Sequence, residues 1–131
     1  MTRSLAIRLV YAACLIVATG NHALTLLRHG LFWDYGGMPP ASAVFWTSLT
    51  FLDPIAAMLL LVRANIGVGM TAAIIIADVT HNLWIRIHYA PPAADMATLF
   101  GDPFLLCQIA FLIFVTVTMR YARINSPPRS G

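Results

Sequence analysis

The sequence has 131 residues, about the length of one domain, of which 60% are hydrophobic and only 10% are charged. Its mean hydropathy is +0.79. Because a soluble domain carries charge on about a quarter of its residues, the composition excludes an ordinary water-soluble globule. All eight basic residues are Arg, all five acidic residues are Asp, and the formal net charge is +3. We predict that the chain lies in a lipid bilayer and has no nucleic acid partner.

Four apolar windows are long enough to cross a bilayer as helices, which takes about 20 predominantly apolar residues each. They cover residues 7–27, 43–62, 66–87 and 104–121. The first window is too long for the apolar core of a cleaved signal peptide, so we expect it to remain in the protein. The sequence therefore predicts one all-α domain over residues 1–131, a polytopic four-helix transmembrane bundle, with a disordered tail over residues 122–131.

The Arg positions predict the orientation, because positive charges in short loops stay on the cytoplasmic side. Both ends of the chain and the turn between the second and third windows carry Arg and no Asp, whereas Arg28 and Arg86 on the opposite side lie near three Asp. Both termini are therefore predicted to be cytoplasmic, in a bacterial-type inner membrane. The cytoplasmic residues are Arg3, Arg8, Arg63, Arg120, Arg123 and Arg129.

The two halves of the chain share a pattern that indicates two repeated helical hairpins. Each half has two His seven residues apart, an Arg shortly before the second His, a Pro-Pro pair and a Phe-x-Asp-Pro sequence that enters its second helix. Chance similarity is the alternative. The residues are His22, Arg28, His29, Pro39-Pro40 and Phe51-Leu52-Asp53-Pro54, then His81, Arg86, His88, Pro91-Pro92 and Phe100-Gly101-Asp102-Pro103.

Several polar side chains fall inside the predicted spans, where they are costly unless they face the bundle interior and find partners. At a rise of about 1.5 Å per residue, the members from all four helices lie roughly 14 to 22 Å from the cytoplasmic end. We predict that they form one pocket, although each could instead be an interhelical hydrogen bond that holds the bundle together. The pocket residues are His22, Asp53, Asp78, His81, Asn82 and Gln108.

Other polar and aromatic residues are predicted at the outer membrane interface. Arg28, His29, Asp34, Arg86, His88 and Asp102 are expected to bind headgroups and to form salt bridges. The predicted aromatic belt consists of Trp33, Tyr35, Trp46, Trp84 and Tyr89.

The pocket favours binding of a lipophilic or cationic small molecule, with isomerisation by proton transfer as an extension. Two carboxyl groups buried to different extents can divide the roles of proton donor and cation stabiliser. Asp53 is the expected buried acid, and Asp78 its charged partner, oriented by His81. The predicted ligand-binding residues are His22, Asn21, Asn82, Trp84 and Gln108.

Two short stretches resemble a known family. Ser48-Leu49-Thr50-Phe51-Leu52-Asp53 is similar to the Ser-x-x-Phe-x-acid pattern that enters the second helix of the EXPERA domain, the four-helix membrane fold of sterol isomerases and related sterol-binding proteins. Ala73-Ile74-Ile75 followed by a His resembles its third helix, and His22 followed by Asp34 is similar in kind to its first. The family's acid is usually Glu and its loops are longer. The resemblance implies that Asp53 is the ligand-binding acid.

A second possible function, as an alternative to ligand binding, is that of an electron carrier with haem b. His22 and His81, predicted at equal depth, would supply two axial ligands across the bundle. The stretch from His22 to Asp34, with Arg28-His29 and Trp33-Asp34-Tyr35-Gly36, also resembles succinate dehydrogenase membrane anchors, where it lies in the second span and lacks one residue before the Asp. Apart from haem, no cofactor or metal is predicted, since the His and Asp residues lack the tight spacing of metal sites.

A third alternative is a small proton- or cation-coupled transporter in which Asp53 and Asp78 change protonation state. Small transporters of this kind act as dimers, and Gly67-Val68-Gly69 with Ala72 and Ala73 offers a small-residue face for a homodimer. A structural or accessory membrane subunit is the fourth alternative.

Overall fold

A computed structural model of the protein describes residues 1–89, 95–97 and 101–124. These residues form four long helices: α1 (Arg3–His29), α2 (Pro40–Val62), α3 (Ala64–Tyr89) and α4 (Pro103–Ala122). Each helix is long and apolar enough to span a membrane, which confirms the predicted all-α, four-helix fold. The helices extend a few residues beyond the apolar windows, because a helix satisfies its own backbone groups and can continue into the polar interface.

Local sequence signals explain where the helices begin and end. The Thr2 side chain caps α1 by accepting from the Leu5 N–H, and α1 ends at Gly30, whose φ of 87° is accessible to glycine. The Asp102 side chain caps α4 by accepting from the Phe104 N–H at 2.7 Å. Pro103 follows at the first helical position, where its missing N–H would have no helical partner.

The helices form an antiparallel bundle in which each packs on its neighbours in the chain, and α4 closes the ring against α1. The diagonal pair α1 and α3 is barely in contact. The two His-bearing helices, α1 and α3, therefore lie diagonally opposite each other in the bundle. The bundle has an Arg-rich end, with Arg3, Arg63 and Arg123, and an opposite end at the α1–α2 connection.

Gly67 sets the distance between α2 and α3 near the Arg-rich end. A Cβ atom at this position would overlap the backbone of Leu59 and Leu60 on α2. Val68 beside it is fully buried. Both residues therefore pack inside the bundle, so the prediction that they form a dimer face is wrong for these two positions. Gly69 points to open space instead.

Cross-helix hydrogen bonds close the Arg-rich end. The buried Arg8 donates to the Leu60 carbonyl at 2.6 Å, and this carbonyl lies in the last turn of α2, where no helical donor remains. The Tyr11 hydroxyl donates to the Val115 carbonyl at 3.2 Å and contacts the Thr118 hydroxyl at 2.7 Å. Around them lies the apolar core, which includes Tyr11, Leu15, Ala56, Ala57, Leu60, Val68, Ile75, Val79, Val115 and Ala122.

The outward faces of all four helices are apolar. Large hydrophobic side chains that would be costly in water are exposed along the full length of the bundle, as lipid contact requires. Examples are Val17, Leu27, Val44, Ile55, Met58, Ile66, Ile76, Ile87, Phe104 and Val117.

The two Phe-x-Asp-Pro sequences do not occupy equivalent places. Asp53 lies inside α2, followed by an internal Pro54, whereas Asp102 precedes the first residue of α4. This part of the repeat prediction is therefore wrong, because the same four residues meet different surroundings in the two hairpins. Pro91-Pro92 and Phe100 lie outside the described residues. So does the predicted tail from residue 125 onward, while Ile124 is bound through its backbone to the Asn65 side chain.

Candidate functional site

Asn82 on α3 is the centre of a polar network that joins three helices. Its Nδ2 amide donates to Asp78 Oδ1 at 2.9 Å and to Gln108 Oε1 on α4 at 3.1 Å. Its Oδ1 accepts from the Trp46 indole N–H on α2 at 2.9 Å. Both amide hydrogens and the amide oxygen are thus used. The network fixes one oxygen of the buried Asp78 and connects α2, α3 and α4.

Asp53 lies on α2, away from these hydrogen bonds. Its side chain is only 2% exposed and its Oδ1 atom has no hydrogen-bond partner. Asp78 is also buried, on α3, which packs against α2. The structure therefore brings the two intramembrane acids into one region between α2 and α3.

His81 takes no part in this hydrogen-bond network, although it directly precedes Asn82 in the sequence. Its ring packs against Phe45 and Trp46 of α2 and against Trp84, with ring centroids 4.6, 5.3 and 6.0 Å away. The Nε2 atom is buried and has no partner. Asn82, and not His81, donates to Asp78, so a role of His81 in orienting Asp78 stays a prediction.

A groove of about 550 Å³ lies beside His81 on the outward surface. Phe45 of α2 borders it, and the remaining lining residues follow one face of α3 at helical spacing. Apart from His81 and Thr80, the lining side chains are hydrophobic. The α3 residues are Ala73, Ile76, Ala77, Thr80, His81 and Trp84.

The remaining predicted residues lie apart from this network. Asn21 is exposed on α1. His22 is half-buried and forms no hydrogen bond or ring contact with any residue that the structure describes. Trp84 lines the groove together with His81. The predicted single pocket is thus divided between an interior network and a groove that opens towards lipid.

Two residues contribute to the site in ways that the sequence does not predict. Trp46 was assigned to the aromatic belt, yet its indole N–H donates to Asn82. For Thr50, the sequence predicts only a free carbonyl near Asp53, because Pro54 has no N–H; the structure adds its hydroxyl, which is buried without a partner. The three-residue spacing of Thr50 and Asp53 indicates that they share one side of a helix. The contact between Trp46 and Asn82 joins two helices and has no corresponding pattern in the sequence.

Aromatic rings lie at the end of the bundle opposite the Arg-rich end. His29, Trp33 and Tyr35 stack in sequence, with centroids 3.9 and 4.6 Å apart, and Tyr35 then contacts Trp46. The predicted aromatic belt thus forms a continuous set of ring contacts that reaches the groove through Trp46.

Arg86 and Asp102 form a salt bridge that joins α3 to the start of α4. Burial raises the pKa of Asp102, but the Phe104 N–H and the Arg86 guanidinium outweigh it and hold that pKa below its ordinary value. The predicted salt bridging at this interface is present at this pair.

Haem ligation by His22 and His81 stays a prediction. These residues lie on the diagonal helices α1 and α3, and the His81 ring is packed among aromatic side chains. Among the described residues, no three His, Cys, Asp or Glu side chains converge in a way that could hold a metal ion.

Fold and site together define a bundle of four helices that are long and apolar enough to span a membrane, with a few polar side chains in the interior; bundles of this class have many unrelated functions. No known protein family, curated protein or solved structure is significantly similar to the chain. The resemblances to the EXPERA domain and to succinate dehydrogenase anchors therefore stay predictions.

Proposed function

We propose that the protein binds a lipophilic small molecule that carries a hydroxyl or carbonyl group and enters the groove on α3 from the bilayer. The supporting observation is that an otherwise apolar groove of about 550 Å³ contains His81, whose Nε2 atom is buried without a partner. The proposed setting is a bacterial-type inner membrane with both chain ends in the cytoplasm, as the Arg distribution favours.

The dimensions and lining of the groove suit such a ligand. Small-molecule sites commonly enclose about 300 to 1,000 Å³ and combine mostly apolar walls with a few polar groups. Ala73 and Ala77 have no atoms beyond Cβ, so they leave space between the larger Ile76 and Trp84 side chains. A ring system or a branched chain would fill this space.

His81 provides the polar contact. A neutral imidazole has one donor and one acceptor nitrogen, and a buried nitrogen without a partner lowers stability by about 1 to 3 kcal/mol. A ligand hydroxyl can accept from or donate to this nitrogen. Phe45, Trp46 and Trp84 pack against the ring, and because the nitrogen is covered, a side chain at the edge of the groove must move for the ligand to reach it.

The position of the groove favours binding of a ligand without its isomerisation. Asp53 and Asp78 lie in the interior and do not line the groove. A ligand in the groove would therefore meet no carboxylate, which also favours a neutral ligand over a cationic one. Proton transfer from these acids would require the ligand to pass between α2 and α3.

Photo-crosslinking in liposomes tests the proposal. The probes are a long-chain fatty alcohol with a diazirine in its chain and the matching hydrocarbon without the hydroxyl. We expect the alcohol to label peptides that contain Ala77, Thr80 and Trp84 more than the other lipid-facing surfaces. His81→Phe should reduce this labelling roughly fivefold, the effect of one hydrogen bond of about 1 kcal/mol, and leave labelling by the hydrocarbon unchanged.

Two alanine substitutions form the control. Ala77→Phe fills the groove and should abolish selective labelling, whereas Ala13→Phe, at an exposed position on α1, should not. Alcohol labelling that is spread evenly over the lipid-facing surfaces and is insensitive to His81→Phe would show that the groove only contacts bulk lipid.

A further inference from the structure

The helical threonines reveal an unusual hydroxyl at Thr50. Five others in the described helices donate to the carbonyl four residues earlier, at 2.6 to 3.1 Å. Thr50 Oγ1 is buried and does not. Because a carbonyl one turn back is the ordinary partner of a helical threonine, this hydroxyl is left available for another group. The five are Thr19, Thr25, Thr71, Thr116 and Thr118.

Asp53 lies one turn further along α2, on the same side of the helix as Thr50. Its side chain is 98% buried and its Oδ1 atom has no partner. Buried side-chain oxygens are nearly always hydrogen-bonded or bound to an ion or water. Two neighbouring oxygens without partners therefore mark one incomplete site.

Pro54 adds a third oxygen. It lies inside α2 and has no N–H, so the Thr50 carbonyl lacks its normal helical donor. Thr50 thus offers both its hydroxyl and its carbonyl oxygen beside the Asp53 carboxyl group.

Asp78 completes the group from the neighbouring helix. It is 7% exposed on α3, the helix that packs against α2. Its Oδ1 accepts from Asn82 at 2.9 Å, which fixes the orientation of the carboxyl group. Two carboxyl groups buried together in a region of low dielectric constant are stabilised by a positive charge between them.

We propose that Thr50, Asp53 and Asp78 form a binding site between α2 and α3 for a hard metal cation such as Na⁺ or Ca²⁺. All the available ligand atoms are carboxylate, hydroxyl and carbonyl oxygens, which hard cations prefer. No imidazole or thiol from a described residue joins them in a ligand group, so the site favours these cations over zinc or copper. The site is separate from the groove, and its occupancy does not depend on the proposed ligand.

Thermal unfolding of the detergent-solubilised protein tests the proposal. NaCl or CaCl₂ replaces choline chloride at constant ionic strength, and equilibrium dialysis with radioactive Na⁺ or Ca²⁺ measures stoichiometry. We expect a saturable rise in Tm of about 5 °C with at least one cation, as ligand linkage predicts, and binding of about one ion per chain at saturation. No saturable response to either cation would overturn the proposal, and so would stabilisation by acidification alone.

Matched threonine variants locate the site. Thr50→Val keeps the β-branched shape and should abolish the cation response, while Thr50→Ser retains the hydroxyl and should keep it. Thr71→Val removes a buried hydroxyl that donates to the Gly67 carbonyl, so the cation response should persist. Asp53→Asn should also abolish it. An unchanged response in Thr50→Val would place the ion elsewhere and overturn the assignment even if Asp53→Asn does not fold.

Discussion

At the scale of single residues, the polar side chains inside the bundle fall into two groups. Asn82 has partners for both amide hydrogens and for its oxygen, and Tyr11 has two for its hydroxyl. Asp53, Thr50 and His81 each have a buried atom without a partner, and so does Arg8, whose guanidinium is otherwise bonded to the Leu60 carbonyl. Polar groups of the first kind hold helices together in a membrane. Those of the second kind are costly without a ligand, which is why both proposals rest on them.

Asn82→Ala should destabilise the bundle by about 2 kcal/mol, because it leaves Asp78 without its donor and Trp46 without its acceptor. The expected loss is smaller than the sum of three hydrogen bonds, since unfolded helices in a membrane also find partners. Reversible unfolding in mixed micelles measures the stability. In a variant that retains Trp46 as its only tryptophan, the lost hydrogen bond should also shift the emission to shorter wavelength.

Asn21→Ala is the control for this change. Asn21 is exposed and outside the network, so its substitution should alter stability by no more than about 0.5 kcal/mol. Equal effects of the two substitutions, with unchanged Trp46 emission in Asn82→Ala, would contradict a structural role for the network.

At the scale of helices, glycines only two residues apart have different roles. Gly67 lets α3 approach the α2 backbone at Leu60, whereas Gly69 points to open space on the other side of the helix. Close backbone approach through small residues is a general means of helix association in membranes. The position of the interior acids between α2 and α3 depends on this approach, because it fixes the spacing of the two helices.

Gly67→Ala should therefore destabilise the protein by about 2 kcal/mol or more, since the added Cβ meets backbone atoms that cannot rotate away. Gly69→Ala should be neutral or stabilising by up to about 1 kcal/mol, because alanine favours the helix and nothing blocks it. Unfolding of both variants in the same detergent gives the comparison. Similar stabilities for the two would show that the helices do not pack at Gly67.

At the scale of the whole molecule, the sequence predicts the number of helices and the depth of the polar residues but not which way each residue faces. Hydropathy marks the spans, and the rise per residue places Asp78, Asn82 and Gln108 at similar depths, where the structure joins them. The rotation of each helix about its own axis cannot be predicted, because lipid and protein interior are both apolar and a spanning helix has no polar face that would orient it. For this reason the sequence does not predict that His81 lines the outward groove.

The orientation of the bundle is the last feature that the charges predict, and cysteine labelling tests it. The antiparallel fold places Thr2 at the Arg-rich end, while Phe32 lies in the exposed connection between α1 and α2 at the other end. With Cys14 and Cys107 replaced by Ala, we expect Phe32→Cys to react with a membrane-impermeant maleimide on intact spheroplasts. Thr2→Cys should react only after permeabilisation, because the positive-inside rule keeps that end in the cytoplasm. The reverse pattern would mean that the bundle has the opposite orientation in the membrane, and reaction of both before permeabilisation would show that α1 does not cross it.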